Sequence, residues 1–351
     1  MALIVQKFGG TSVRTPESRQ MVLNHVREAR SQGHDLVVVV SAMGRMGDPY
    51  ATDTLIDFLK THGRKLSPKK KDLIMACGEI ISAAVMASYL EAEGIPAEAM
   101  TGFQAGILTN DEFGNAEIID VDPRPIKEQL AQGKVVVVAG FQGHTRNGEI
   151  TTLGRGGSDT TAVELGGYLK ADLVEIYTDV PGVAITDPRI VAEAPFIEKI
   201  SYEEMLDLAE NGAKVIHPRA VKAAEKFGIP FVIKSTFDDK KGTLVGPEDS
   251  GLGISGIALQ KDLALVFYYR QGGFEASEHE KIKALAAKGF RSDEPDVEAI
   301  LLEQDKLSEA ANMYSLINNW DKALELLDKA WEIDKNELKN YILNGINFAK
   351  K

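Results

Sequence analysis

Short runs of β-branched and apolar residues recur along the first two thirds of the chain: LIVQKF, DLVVVVSA, KVVVVAGF, LVEIYTDV and PFVIKS. Near-continuous Val/Ile runs suit strands covered on both faces, as in a parallel sheet, rather than the alternation of a sheet with one wet face. Between them the apolar spacing becomes helical, over Arg19 to Gln32, Lys71 to Glu93, Thr160 to Lys170 and Tyr202 to Asn211. Strands alternating with helices predict a doubly wound, mainly parallel α/β sheet sandwiched by helices. Ligands of such sheets bind beyond the carboxyl ends of the strands. Lys7, Ser41, Gly140 and Asp179 each end a Val-rich run, so they are expected on one rim.

The pattern changes after GTLVGPEDSGLG, a stretch rich in turn formers. Three regions are expected: a large α/β domain over 1–245, a linker with a short strand pair (ISGIAL and LALVFYYR) over 246–276, and a helical region over 277–351. The last carries small and aromatic residues at the spacing of a single tetratricopeptide-like hairpin. One such unit cannot bury its own face, and Trp320, Leu324, Leu327 and Trp331 lie at helical spacing. Docking on this chain or on a partner is therefore expected ahead of a solenoid.

Composition narrows the function. The chain has 351 residues and a formal net charge of −12, which argues against the basic footprint of a nucleic-acid binder. Its one cysteine, Cys77, excludes an intrachain disulfide and a cysteine-based zinc site, and reads as a small core residue. The start lacks a secretory signal pattern and no apolar run reads as membrane-spanning, so a cytoplasmic protein with no membrane partner is expected.

Two glycine-containing loops carry candidate chemistry. TTLGRGGSDTTAVEL places Arg155, Gly156, Gly157, Ser158 and Asp159 just before a helical run. Bare backbone N–H groups and a helix N-terminus form an anion cradle, and Arg155 supplies a planar fork for carboxylate or phosphate. Taken alone, a tight strand-to-helix turn explains these glycines equally well. VQKFGGTSV sets Lys7, Phe8, Gly9 and Gly10 at a strand end on the same rim. A lysine there is costly unless it meets negative charge, and a triphosphate supplies one. Phosphoryl transfer demands positioning and charge neutralisation more than covalent chemistry. YTDVPGVAITDPR adds a third strand-end loop, with Asp179 and Asp187, suited to nucleotide hydroxyls or a metal. Neither the Walker A pattern nor the Rossmann fingerprint occurs at a suitable strand end.

Ten ordered segments, namely VQKFGGTSV, VVVVSAMG, CGE, GFQAG, VVAGFQG, TTLGRGGSDTTA, YTDVPGV, TDPR, SYEEMLDLA and GAKVIHPRAV, together resemble the aspartokinases of the amino-acid kinase superfamily. The resemblance covers about Met1 to Val245. It implies ATP-dependent phosphorylation of the β-carboxylate of L-aspartate to 4-phospho-L-aspartate, the first step toward lysine, threonine and methionine, with Mg²⁺. It also implies that Lys7 bridges the phosphates, that Asp159 organises the transfer site, that Arg155 holds the α-carboxylate and that Glu79 holds the amino group. Gly156, Gly157, Ser158, Ser41 and either Thr52 or Thr54 are carried over as substrate contacts. Phe8, Gly9, Gly10, Thr178, Asp179, Arg189, Lys214 and Val215 are carried over as ATP contacts; no residue is assigned as a direct metal ligand. A homo-oligomer is expected, with the helical tail open to a partner. Where the family continues into two regulatory βαββαβ domains, this chain turns helical, which removes the ground for expecting a particular feedback effector. The alternative is a catalytically weak binding or regulatory subunit. No histidine constellation stands out; His217 reads as structural and the others as surface or loop residues.

Overall fold

In a computed structural model, residues 2–62, 67–191, 193–252 and 256–258 are described; all fall in the first of the chain's two units, Met1–Leu259. Of the expected strand pair, ISGIAL is described only at 256–258, which form no strand, while LALVFYYR and the whole of 277–351, including its tryptophans, lie outside the described residues.

The order is β1 (Leu3–Phe8), α1 (Pro16–Ser31), β2 (Asp35–Val40), α2 (Thr52–His62), α3 (Pro68–Ala92), β3 (Ala97–Met100), β4 (Ile107–Thr109), β5 (Ile118–Val121), α4 (Arg124–Leu130), β6 (Val135–Ala139), β7 (Gln142–His144) and β8 (Ile150–Thr152). There follow α5 (Gly157–Leu169), β9 (Leu173–Thr178), β10 (Lys199–Ser201), α6 (Tyr202–Glu210), α7 (Pro218–Phe227), β11 (Phe231–Ser235) and β12 (Thr243–Gly246). An eight-stranded sheet runs β10-β12-β11-β9-β1-β2-β6-β3. From β11 to β3 every neighbouring pair is parallel; β12 runs antiparallel to β11. The Val-rich strands are central because both their faces are covered. Val5, Val37 and Val136 join Leu165 and Phe231 on one face, while Ile4, Val38 and Val137 join Leu23 and Met86 on the other.

A second, four-stranded sheet, β5-β4-β7-β8, was not apparent in the sequence. Its strands are three or four residues long, too short to show a period. Helices also begin earlier than their apolar spacing indicates. Thr15 caps α1 in a reciprocal capping box with Ser18, with Pro at the first turn, and Ser67 caps α3 ahead of Pro68. Capping residues are polar, so they fall outside an apolar pattern although each adds about 1 kcal/mol.

Helix α3 departs from expectation in a second way. It is long and apolar enough, by length and composition, to cross a membrane. It is nonetheless an interior helix: Met75, Ala76, Ala83, Met86 and Leu90 are buried, and Asp72 and Glu79 are buried on it within hydrogen bonds. Cys77 is only partly buried on this helix, its Sγ 3.3 Å from the Leu73 carbonyl oxygen, rather than in the core. The chain stays on the domain past residue 245: Ser250 hydrogen-bonds Glu204 through its amide and hydroxyl, and the Ile257 amide reaches the Ile185 carbonyl at 2.7 Å.

Candidate active site

Parallel registry of β1, β2, β6 and β9 brings their carboxyl ends to one rim. Lys7 is the penultimate residue of β1, and its Nζ lies 2.7 Å from Asp159 Oδ1 in the first turn of α5. Both side chains are largely buried, at 11% and 14% exposure, so the pair is shielded but open on one side. Asp159 is joined to Lys7 by charge without a directed hydrogen bond at Oδ1.

Glycine is required where backbones meet. A Cβ on Gly10 would lie 2.6 Å from the Ala42 carbonyl oxygen and 2.8 Å from that of Gly44, so the loop after β1 presses against the loop after β2. Gly44 N–H in turn donates to Gly10 O at 3.0 Å. Gly9 sits over the lysine, its would-be Cβ 3.5 Å from Lys7 Nζ. Gly9 N–H donates to Tyr177 O at 3.3 Å, so an anion at this loop would meet the Lys7 ammonium and, of the two glycines, the Gly10 N–H. Phe8 joins this rim only through its backbone: its ring is fully buried and stacks on Tyr177 at 4.5 Å.

The glycine-rich loop before α5 closes the same rim from another side. Gly156 caps the helix in the left-handed region at φ 64°, and a Cβ there would strike the His217 side chain. His217 therefore has the structural role expected of it; it caps α7, its Nδ1 accepting from Arg219 N–H at 3.3 Å. His25, read as a surface residue, is instead half-buried, with its ring 4.5 Å from Tyr177 and its Nε2 3.1 Å from the Thr236 carbonyl oxygen. Ser158 is buried against Gly140, at the end of β6. Gly157 packs on Phe141. Arg155 is exposed and has no ion-pair or hydrogen-bond partner among the described residues.

Glu79 is 3% exposed on α3. Its Oε1 accepts from the Ala42 amide at 3.1 Å, just after β2, while Oε2 is buried without a partner. Loss of water pushes its carboxyl up to about 8, against the smaller lowering effect of the Ala42 N–H. Gly78 makes this approach possible, because a Cβ there would meet Ala42 Cβ and the Tyr50 carbonyl oxygen, both at 2.8 Å. Ser41 follows β2, its amide bonded to Phe8 O. Of the two threonines left open, Thr54 is engaged, its Oγ1 accepting from Gly47 N–H at 3.0 Å. Thr52, at the start of α2 and half-buried, has no such partner.

On the β9 side, Thr178 and Asp179 share a hydrogen bond at 3.2 Å. Asp179 also pairs with Arg45 at 2.7 Å, a contact across the rim that the motifs did not reveal. Arg189 is turned to Asp187 in a two-point pair and is 80% exposed. Lys214 and Val215 sit in the segment between α6 and α7; Lys214 is exposed. No contact ties Arg189, Lys214 or Val215 to Lys7. No cluster of three metal-ligating side chains occurs among the described residues.

A buried lysine–carboxylate pair at a parallel-sheet rim, two bare loops and a helix N-terminus aimed at one place are the parts of an α/β enzyme that handles phosphate and carboxylate together. The chain belongs to the amino acid kinase family, whose model matches residues 2–235. Its relatives within that family include aspartokinases. It is 46% identical to Aspartokinase 1 of Bacillus subtilis over 301 residues, 84% of this chain and 74% of that protein. Among solved structures it resembles aspartate kinase from Synechocystis (45% identity, TM-score 0.62, covering 71% of this chain and 40% of that one). It also resembles E. coli aspartokinase III in complex with aspartate and ADP (29% identity, TM-score 0.59, covering 70% of this chain and 65% of that one).

Proposed function

We propose that this chain is an ATP-dependent aspartate kinase that transfers the γ-phosphoryl group to the β-carboxylate of L-aspartate. The observation that carries the reading is Glu79: a buried carboxylate with an unpartnered oxygen, on the rim that holds the Lys7–Asp159 pair. A buried acceptor of this kind asks for a cation, and an α-ammonium group is one. Arg155, exposed at the neighbouring loop, supplies the fork for the α-carboxylate. Together they select an α-amino acid, and the E. coli relative holds aspartate and ADP.

The acceptor needs no general base, because a β-carboxylate with a reference pKa of about 3.9 is already ionised at neutral pH. The obstacle is repulsion between that carboxylate and the triphosphate. At about 4 Å and an effective dielectric of about 20, each pair of unit charges is worth about 4 kcal/mol. Lys7 offsets it: its ammonium is held by Asp159 beside the Gly9–Gly10 loop. Ser158, Gly156 and Gly157 border the substrate side, with Ser41 and Thr52 supplying hydroxyls. Thr178 and Asp179 face the nucleotide, and Arg189, Lys214 and Val215 are assigned to it by likeness to the family. Mg²⁺ would be held chiefly by the nucleotide's phosphates and would supply further charge neutralisation. The same reading gives 4-phospho-L-aspartate to lysine, threonine and methionine biosynthesis through the diaminopimelate and related routes, in a cytoplasmic homo-oligomer.

The test is coupled ADP release with ATP and, in turn, aspartate, glutamate, N-acetylglutamate and UMP. Turnover with aspartate alone is expected. Aspartate binding without turnover would instead establish a binding or regulatory subunit.

A further inference from the structure

Helix α3 carries a second buried carboxylate that the proposed chemistry does not use. Asp72 is fully buried, seven residues before Glu79, and at two turns' separation both project from one face of the helix. Its Oδ2 accepts from Gly114 N–H at 2.9 Å and from Thr152 N–H at 2.8 Å, and its Oδ1 from Thr152 Oγ1 at 3.0 Å. Thr152 ends β8, and three residues on the chain reaches Arg155. Arg219, from α7, holds the next residue, donating through Nη1 to Leu153 O at 2.8 Å. The strand that delivers Arg155 is thus gripped from α3 and from α7, although Arg155 itself has no ion-pair or hydrogen-bond partner among the described residues.

We infer that Asp72 is a positioning residue for aspartate recognition, fixing the distance between Glu79 and Arg155. It rests on the reading of those two groups as ligands of the α-ammonium and α-carboxylate. One helix holds both ends of the gauge: at Glu79 it docks on the loop after β2 through Ala42 N–H, and at Asp72 on the end of β8. Two ligands on separate elements recognise one small molecule only if their spacing holds to a fraction of an ångström. Lys7 stands on β1, with Gly9 and Gly10 in the loop after it, and none of the three hydrogen-bonds to Asp72, Gly114 or Thr152, so the phosphate cradle is held by contacts other than those of Asp72.

The geometry also says which substitution is tolerated. In Asp72→Asn the amide oxygen can take the Oδ2 position and accept both N–H groups. The amide nitrogen then donates to Thr152 Oγ1, a hydroxyl that accepts as readily as it donates. Asp72→Ala loses all three bonds, and Thr152→Val loses one while keeping shape.

The experiment is steady-state kinetics of the full chain and these three variants, with KM for aspartate and for ATP measured separately and thermal melts run alongside. Asp72→Ala is expected to raise the aspartate KM about tenfold or more, the scale of a lost buried hydrogen-bond set, with the ATP KM within about twofold of the parent. Thr152→Val should raise it about threefold, and Asp72→Asn should stay near the parent. Should Asp72→Ala fail to fold, the other two variants decide. An unchanged aspartate KM in Thr152→Val overturns the inference, as do equal shifts in both KM values or an Asp72→Asn as impaired as Asp72→Ala. A parent chain without aspartate-dependent ADP release removes the site reading as well; a parent that turns over beside an unaffected Thr152→Val removes this inference alone.

Discussion

Two residues show how burial converts ordinary groups into tools. Lys7 is largely buried, with Asp159 only 2.7 Å from its ammonium nitrogen. Lys7→Ala should lower kcat on the order of a hundredfold, the usual loss when one group stabilising transferring charge is removed, with a smaller change in the ATP KM. It should also lower the melting temperature, since Asp159 is left shielded and unpaired. Unchanged turnover would remove Lys7 from the transfer site. Glu79 is the opposite case, a carboxyl pushed up from 4.5 to about 8 by burial. Its native state holds a proton that the unfolded chain releases near pH 4.5, so between that pH and about 8 the carboxyl loses native stability as pH rises. Glu79→Gln has no such proton to lose. Relative to the parent, its unfolding free energy should therefore climb across this window and level off above it; a pH-independent difference in chemical denaturation would contradict the assignment. Of these two, Lys7 was legible as chemistry because a lysine ending an apolar run has few other reasons to be there. Glu79 acquired a role only through its family motif, since on a helix it reads as a surface residue until the fold buries it.

At the scale of elements, small residues decide what can approach. Helix α5 lies on α7 at Gly167, where a Cβ would fall 2.2 Å from the Phe227 ring. Alanine there gains about 1 kcal/mol of helix propensity but overpacks against an aromatic ring, at about 1–3 kcal/mol. The ring is held against Tyr168, 5.2 Å away, so it cannot swing aside freely and the steric cost wins. Gly167→Ala should be destabilised by up to about 2 kcal/mol in urea unfolding, and a more stable variant would show that Phe227 yields. The long Val-rich strands were readable as a parallel sheet because burial on both faces leaves a continuous apolar run. The four-stranded second sheet was not, its strands being too brief for periodicity to distinguish them from loops. The same limit hid Asp72, whose partners Gly114 and Thr152 are remote in sequence.

For the whole molecule, the sequence shift after GTLVGPEDSGLG was read as the end of the catalytic domain at 245. In the structure Ser250 and Ile257 still bond to it, and a Cβ on Gly256 would press on Leu208. A chain shortened to residues 1–259 should therefore keep aspartate-dependent ADP release, whereas 1–245 should unfold more readily, having lost the end of β12 and the Ser250–Glu204 contacts. Equal melting temperatures for the two would mean these contacts are idle. What the linear order of residues settled was the class of fold and the rim at which its parallel strands end, because periodicity is a local property. Distance, burial and pairing were settled by folding: which threonine is engaged, that Phe8 turns inward, that Arg45 meets Asp179, and that one helix carries two buried carboxylates to separate loops. Those depend on segments far apart in the chain becoming neighbours, and desolvation acts on a group only once they have.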